Sequence, residues 1–165
     1  MKRILSGALC LIMLLGAVLV TASCSSAKSY KYKDLDIVYE SDLGEETNKY
    51  MAEVARDTMK DSVTGSRLEI SENRVTIING DKKEGGRVIR NGSRLDIDAS
   101  SENELAKTVE QLKSSYASIM TEATAVMYFL EEENSAAMVT EMDMVMQGSV
   151  RIKAIIKVIY ERETA

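Results

Sequence analysis

Between Thr140 and Glu161 apolar and polar residues alternate through two stretches, and that alternation restricts the fold more than any other feature of the chain. Met142, Met144 and Met146 recur at every second position of the first stretch; Val150, Ile152, Ala154, Ile156, Val158 and Tyr160 do so in the second. A period of two belongs to a strand with one buried face. A three-residue loop Gln147-Gly148-Ser149 sets Met146 opposite Val150, Met144 opposite Ile152 and Met142 opposite Ala154, with Asp143 against Lys153 and Val145 against Arg151 on the other face. A two-residue loop would oppose Met146 to Arg151 and mix the faces, since a one-residue slip turns every side chain over. The chain therefore closes on a hairpin with one apolar face, and that face needs a core.

Two earlier hairpins are readable in the same way. A Glu72-Asn73 loop pairs Ile70 with Val75 and Leu68 with Ile77, which gathers four aliphatic residues on one side of Arg67–Ile78. Within Arg87–Asp98, Asn91-Gly92 is the dipeptide favoured by a turn with φ above zero at both central residues; it pairs Val88 with Leu95. The intervening run 79–86 has no periodicity and reads as a loop. Leu35–Glu40 reads as a first strand. A helix follows it, opened by a capping box of Asp42 and Glu45, with Leu43, Thr47, Tyr50, Met51, Val54, Ala55 and Met59 at helical spacing up to Gly65. A second helix starts at Ser101 with Glu104 as its capping partner, and carries Leu105, Val109, Leu112, Tyr116 and Ile119 on one stripe. The stripe continues through Ala123, Val126 and Leu130, and this periodicity predicts one helix running past residue 125. The bulky composition of Ala123–Leu130 supports a strand instead.

These elements add up to a single α+β domain over residues 34–165: an antiparallel hairpin sheet of about five to seven strands with two helices over its apolar face. The short apolar strands around polar turns between residues 66 and 162 resemble the lipocalin-like domains of small bacterial lipoproteins. That resemblance implies a lipocalin-like sheet and brings no functional residue with it; the strand count leaves barrel closure open. A chain of 165 residues buries enough surface to fold without staples.

The amino terminus reads as an address. Lys2 and Arg3 precede an apolar stretch from Ile4 to Val20, and small residues follow. Thr21-Ala22-Ser23-Cys24 resembles the lipobox of bacterial lipoproteins, with Thr21 where that pattern usually has an aliphatic residue. The resemblance implies that residues 1–23 are a signal peptide, that the Cys24 thiol receives diacylglycerol, and that Cys24 becomes the first mature residue. An ordinary signal peptide or an uncleaved anchor helix is the alternative. Cys10 leaves with the signal, so the mature chain has no disulfide. It also loses two cations and no anion, which takes the formal charge from −5 to −7 and argues against nucleic acid as a partner. Residues 24–33 read as the lipidated Cys and a polar tether, whose Lys28, Lys31 and Lys33 either lie against anionic headgroups or are simply solvated.

Composition removes most catalytic chemistry. With no His in the chain, the commonest general base and the usual transition-metal ligand are missing. Met142, Met144 and Met146 offer soft donors for Cu(I), yet a strand burying one face gives the same spacing. Asp96 with Asp98, Glu141 with Asp143, and the run Glu131-Glu132-Glu133 are the candidate carboxylate pairs for hydrolysis or Ca²⁺, against a solvated-face alternative. Gly80 and Gly85-Gly86 do not open a helix, so no phosphate-cradling loop is expected. The expectation is a non-catalytic protein with no cofactor and no metal, held by its lipid in the cell membrane or outer membrane on the extracytoplasmic side. It would bind a small apolar ligand or an envelope protein, or else serve as an accessory subunit. A carboxylate-dependent hydrolase is the remaining alternative.

Overall fold

The computed structural model describes residues 27–163 apart from 101, 118, 119 and 147–149. Eight strands run up and down in sequence order and close into one antiparallel barrel: β1 (Lys28–Ser41), β2 (Arg67–Ile70), β3 (Arg74–Asn79), β4 (Lys82–Asn91), β5 (Arg94–Ile97), β6 (Glu122–Glu131), β7 (Ser135–Val145) and β8 (Arg151–Arg162). Helix α1 (Glu45–Val63) joins β1 to β2, and α2 (Glu104–Ala117) joins β5 to β6. The architecture is lipocalin-like in general kind, with eight strands where the sequence predicts about five to seven, and with the closure that the strand count leaves open. Closure follows from β1, whose first residues pair with β2 while its length pairs with β8.

The pairing is uneven, and this decides where the helices go. β1 pairs with β8 from Tyr30 to Ser41 but with β2 only over Lys28–Lys31. β6 pairs with β7 along its length but with β5 only over Tyr128–Leu130. The barrel is thus laced at the end where β1 begins, here called the near end, and splays at the far end. There α1 packs on β1, and α2 packs on β6 and β4. Ala55, Met59 and Val63 of α1 and Leu105, Leu112 and Tyr116 of α2 join the barrel side chains in one core, in which Tyr30, Leu68, Leu95, Phe129 and Tyr160 are fully buried.

Two hairpins have the expected register. Ile70 faces Val75 and Leu68 faces Ile77; Met142 faces Ala154, Met144 faces Ile152 and Asp143 faces Lys153. The loop 147–149 lies outside the described residues, but the Met146 amide donates to the Val150 carbonyl at 2.9 Å, as a loop of that length requires.

Elsewhere the structure corrects the reading. Residues 28–33 are strand rather than tether: Tyr30 and Tyr32 alternate with lysines, and a register shift between Tyr32 and Asp34 then brings Leu35 and Ile37 to the same inner face. The lysines pair with protein carboxylates, Lys28 with Glu131 at 2.8 Å and Lys31 with Glu161 at 3.1 Å. Asp42 does not cap α1, whose N-cap is Gly44 at φ 95° with no side-chain bond. Only the second half of the α1 stripe is buried, since Tyr50 keeps 66% of its surface. The run 79–86 is not a loop. Gly80, at φ 59°, turns a tight hairpin in which Asn79 faces Lys82, and Glu84, Gly85 and Gly86 continue as strand. The next turn is one residue later than Asn91-Gly92 implies, because Asn91 pairs with Arg94 and Val88 with Ile97; Gly92 then occupies the first turn position at φ 64°. Finally, α2 does not run past residue 125. From Thr121, whose amide donates to the Val145 carbonyl at 2.8 Å, the chain is strand, and Ala125, Met127 and Phe129 face inward at period two while Val126 is 51% exposed. Pairing with β7 and the bulky composition override the helical period. Ser101 lies outside the described residues; Asn103 caps α2, its Oδ1 accepting from the Leu105 amide at 3.2 Å.

Candidate functional site

The barrel interior is the first place to look for a ligand, and side chains nearly fill it. One void among the described residues measures about 70 Å³ and lies at the seam between the sheet and the two helices, against Met59, Met127, Met138, Thr140, Tyr160 and Glu84. An enclosed apolar cavity needs roughly 150 Å³ to hold benzene, and ordinary ligand pockets are of order 300–1,000 Å³. At about 70 Å³ this void is smaller than such pockets.

Glu84 is the chemically distinct group at this void. It is buried, placed inward by β4, and bonded to the Thr108 hydroxyl of α2. Burial pushes its carboxyl above the ordinary range; the Thr108 hydrogen bond pulls the other way without overcoming it. The Tyr160 phenol at the same void is pushed up to about 12, chiefly by burial. Across the void, Asn79 Nδ2 donates to the Ser62 carbonyl at 2.7 Å, so the β3–β4 hairpin is tied to α1 as Glu84 ties it to α2.

A second buried carboxylate stands at the near end. Glu131 accepts from Lys28 Nζ at 2.8 Å and Tyr30 Oη at 2.9 Å on one oxygen, and from Arg90 Nη2 at 2.7 Å on the other. Burial alone would raise its pKa, but the bonds from Lys28, Arg90 and Tyr30 outweigh that and hold it below the usual range. The Tyr30 hydroxyl is pushed up by its own burial and by this carboxylate. Three donors on one carboxylate make a closed plug with no free acid or base to offer. The solvated face expected of the run 131–133 therefore fails at its first residue: Glu131 is the inward position following Ala125, Met127 and Phe129, and that period of two is the signal in the sequence that points to it.

The other candidate carboxylates are each held singly. Asp96 accepts from Arg94 Nε at 2.6 Å and Asn91 Nδ2 at 2.9 Å, while Asp98 accepts from the Ser100 amide in the loop after β5. Glu141 accepts from the Tyr128 hydroxyl at 2.8 Å, and Asp143 holds the Arg151 guanidinium through both oxygens. Arg94 also lies 3.7 Å from the centre of the Tyr128 ring. These pairs lie on the outer surface, where Asp96 and Glu141 both act on the Tyr128 phenol. Met142 and Met144 are buried in the core, where thioethers fill space, and Met146 is partly buried against it. No cluster of three metal-ligating residues occurs among the described residues. No helix among them is long and apolar enough to cross a membrane. Cys24 lies outside the described residues, as does Cys10.

No known family, curated protein or solved structure matches the chain.

Proposed function

We propose that this protein is a non-catalytic module of the cell envelope, held on the extracytoplasmic face of a membrane by acyl chains on Cys24, and that it acts through its outer surface as a partner-binding or accessory subunit. The observation that carries this reading is the filled interior. An inner face occupied by Tyr30, Phe129, Tyr160 and Leu68, beside a void of about 70 Å³, supports a packed body rather than a container. Glu131, Asp96 and Asp143 are each paired with a cation, which supports the absence of acid–base chemistry at those three positions. The anchor reading rests on the resemblance of Thr21–Cys24 to a lipobox. Since β1 is already strand at Lys28, only Ser25, Ser26 and Ala27 would separate the acylated residue from the barrel, and the near end would face the bilayer. Two or more acyl chains hold such a protein firmly, at about 0.8 kcal/mol for each buried CH₂.

One observation favours a second reading, a small apolar ligand inside the barrel: Met59, Met127 and Met138 border the void, and methionines repack at low cost. Mass spectrometry of the natively purified protein separates the two. The expected result is a chain beginning at Cys24, carrying acyl mass and no other bound molecule. An intact Met1 without acyl mass overturns the anchor; a co-purifying apolar molecule overturns the accessory role in favour of the barrel ligand.

A further inference from the structure

Arg74 and Arg87 stand directly opposite each other on β3 and β4. Like charges in that position repel, and neither is ion-paired among the described residues. Every other described arginine holds a carboxylate or, for Arg162, the Glu133 carbonyl. Arg74 Nε is moreover a buried donor with no hydrogen-bond partner, a condition that native structures rarely leave unexplained. Both guanidinium-bearing residues line a polar hollow of about 270 Å³ on the outside of the core. Gly85 clears the space for one of them: a Cβ there would come within 3.2 Å of Arg74 Nη2. The other wall is the start of α2, where Glu102 and Glu104 also line the hollow without pairing to either arginine. Cations on one wall and carboxylates on the other, in a space of small-molecule size, describe the complement of a dipolar ligand.

We propose that this hollow binds a compact zwitterion, with an oxyanion on Arg74 and Arg87 and an ammonium facing Glu102 and Glu104. Phosphoethanolamine is a simple molecule of that description, and it occurs both free and as a phospholipid headgroup. Arg74 follows the β2–β3 turn at the near end, beyond Ile70, which faces Lys28. If Cys24 is acylated, Arg74 therefore stands at the end of the barrel nearer the headgroups. That placement rests on the anchor reading, whereas the chemistry of the hollow does not.

The test titrates the full chain, in detergent, with soluble O-phosphoethanolamine by calorimetry. Saturable binding is expected, weakened about tenfold or more in Arg87→Gln and in Arg74→Gln, because each removes a charge-assisted hydrogen bond. Arg74→Gln should keep or raise the thermal midpoint while losing affinity, which a purely structural arginine would not do. Inorganic phosphate and ethylammonium should each bind at least tenfold more weakly than the zwitterion. No saturable binding, unchanged affinity in both arginine variants, or phosphate binding as tightly as phosphoethanolamine overturns the proposal. Flotation of Cys24→Ser with phosphatidylethanolamine vesicles, lost in the Arg87→Gln background, assigns the site to a lipid head. Binding of the soluble compound without flotation assigns it to the free molecule. Because the titration needs no acyl chain, failure of the anchor leaves its outcome intact.

Discussion

Removing the Glu131 carboxylate should unlace the near end of the barrel, and the structure sets the size of the effect. Its side chain is 4% exposed and serves Lys28, Arg90 and Tyr30 together. In Glu131→Ala the Tyr30 hydroxyl, in a residue with 0% exposure, loses its acceptor, at a cost of about 1–3 kcal/mol. Lys28 and Arg90 keep 45% and 38% of their side-chain surface, so water recaptures them and their share is discounted to at most about 1 kcal/mol each. The expected loss is about 2–4 kcal/mol in urea unfolding, or roughly 5–15 °C in the thermal midpoint for a chain of this size. Tyr30→Phe, which leaves the carboxylate with both cations, should cost less. The effect has a pH signature: a carboxyl held below its ordinary value of 4.5 stabilises the fold above that pH, and this stabilisation disappears as acid titrates it through the lowered value. The gap between wild type and Glu131→Ala should therefore be full at neutral pH and shrink below about 4.5. A variant within about 0.5 kcal/mol of wild type at neutral pH, or a gap indifferent to acid, would refute the reasoning.

Glu84 carries the opposite sign. Its raised carboxyl makes ionisation costly in the fold, so wild type should lose stability as pH rises from 4.5 through the raised value; Glu84→Gln should remove that slope and be at least as stable at neutral pH, read from urea midpoints across pH. Gly86→Ala should lower the unfolding free energy by about 1–3 kcal/mol, because the added Cβ overlaps Asn103 Oδ1 and meets Leu105 Cγ at 3.0 Å, pushing the start of α2 off β4; an unchanged urea midpoint would show that α2 does not dock there. Met142→Ala should cost about 2–4 kcal/mol as a core truncation, and Cu(I) should not raise the wild-type midpoint. Saturable Cu(I) stabilisation would refute the reading of that stripe as packing.

Local patterns were legible where one face of a strand is buried and the turn is tight. The β2–β3 and β7–β8 registers follow from matching apolar faces across a loop, because any slip would expose Leu68 and Val75, or Met144 and Ile152. Two features defeated the same logic. Around Ala123–Leu130 the helical and strand periods coincide on several apolar positions, and only the partner strand β7, remote in sequence, decides between them. At Glu84 and Gly85-Gly86 the sequence looks like a polar loop, because the strand is shaped by what packs on it: a Thr108 hydroxyl to receive the carboxylate and Asn103 where a side chain would stand. Of the polar clusters, the inward position of Glu131 is legible in the period of β6, but its partners are not, since its cations lie on β1 and β4. The Arg74–Arg87 opposition was latent in the hairpin, but calling 79–86 a loop hid it.

Why this barrel is full follows from how it is laced. A barrel of eight evenly paired strands has an interior that side chains just fill or that holds one small ligand, and the outcome depends on what enters from the ends. Here β2 and β5 are only four residues long, so the wall beside β1 and β6 cannot be completed by strand. The backbone gaps are covered by α1 and α2, which must turn apolar faces inward to do so, and Ala55, Met59, Leu105 and Leu112 consequently occupy volume that a longer-stranded barrel would leave to a ligand. The residual void sits where helix and sheet surfaces meet because a helix surface and a pleated sheet do not match in curvature, and flexible methionines border it because they tolerate irregular space. The wall is thus closed by helices whose apolar side chains share the barrel interior. The outer hollow beside Gly85-Gly86 has the same origin, since the α2 start that fills the barrel also builds one wall of a cleft against β4.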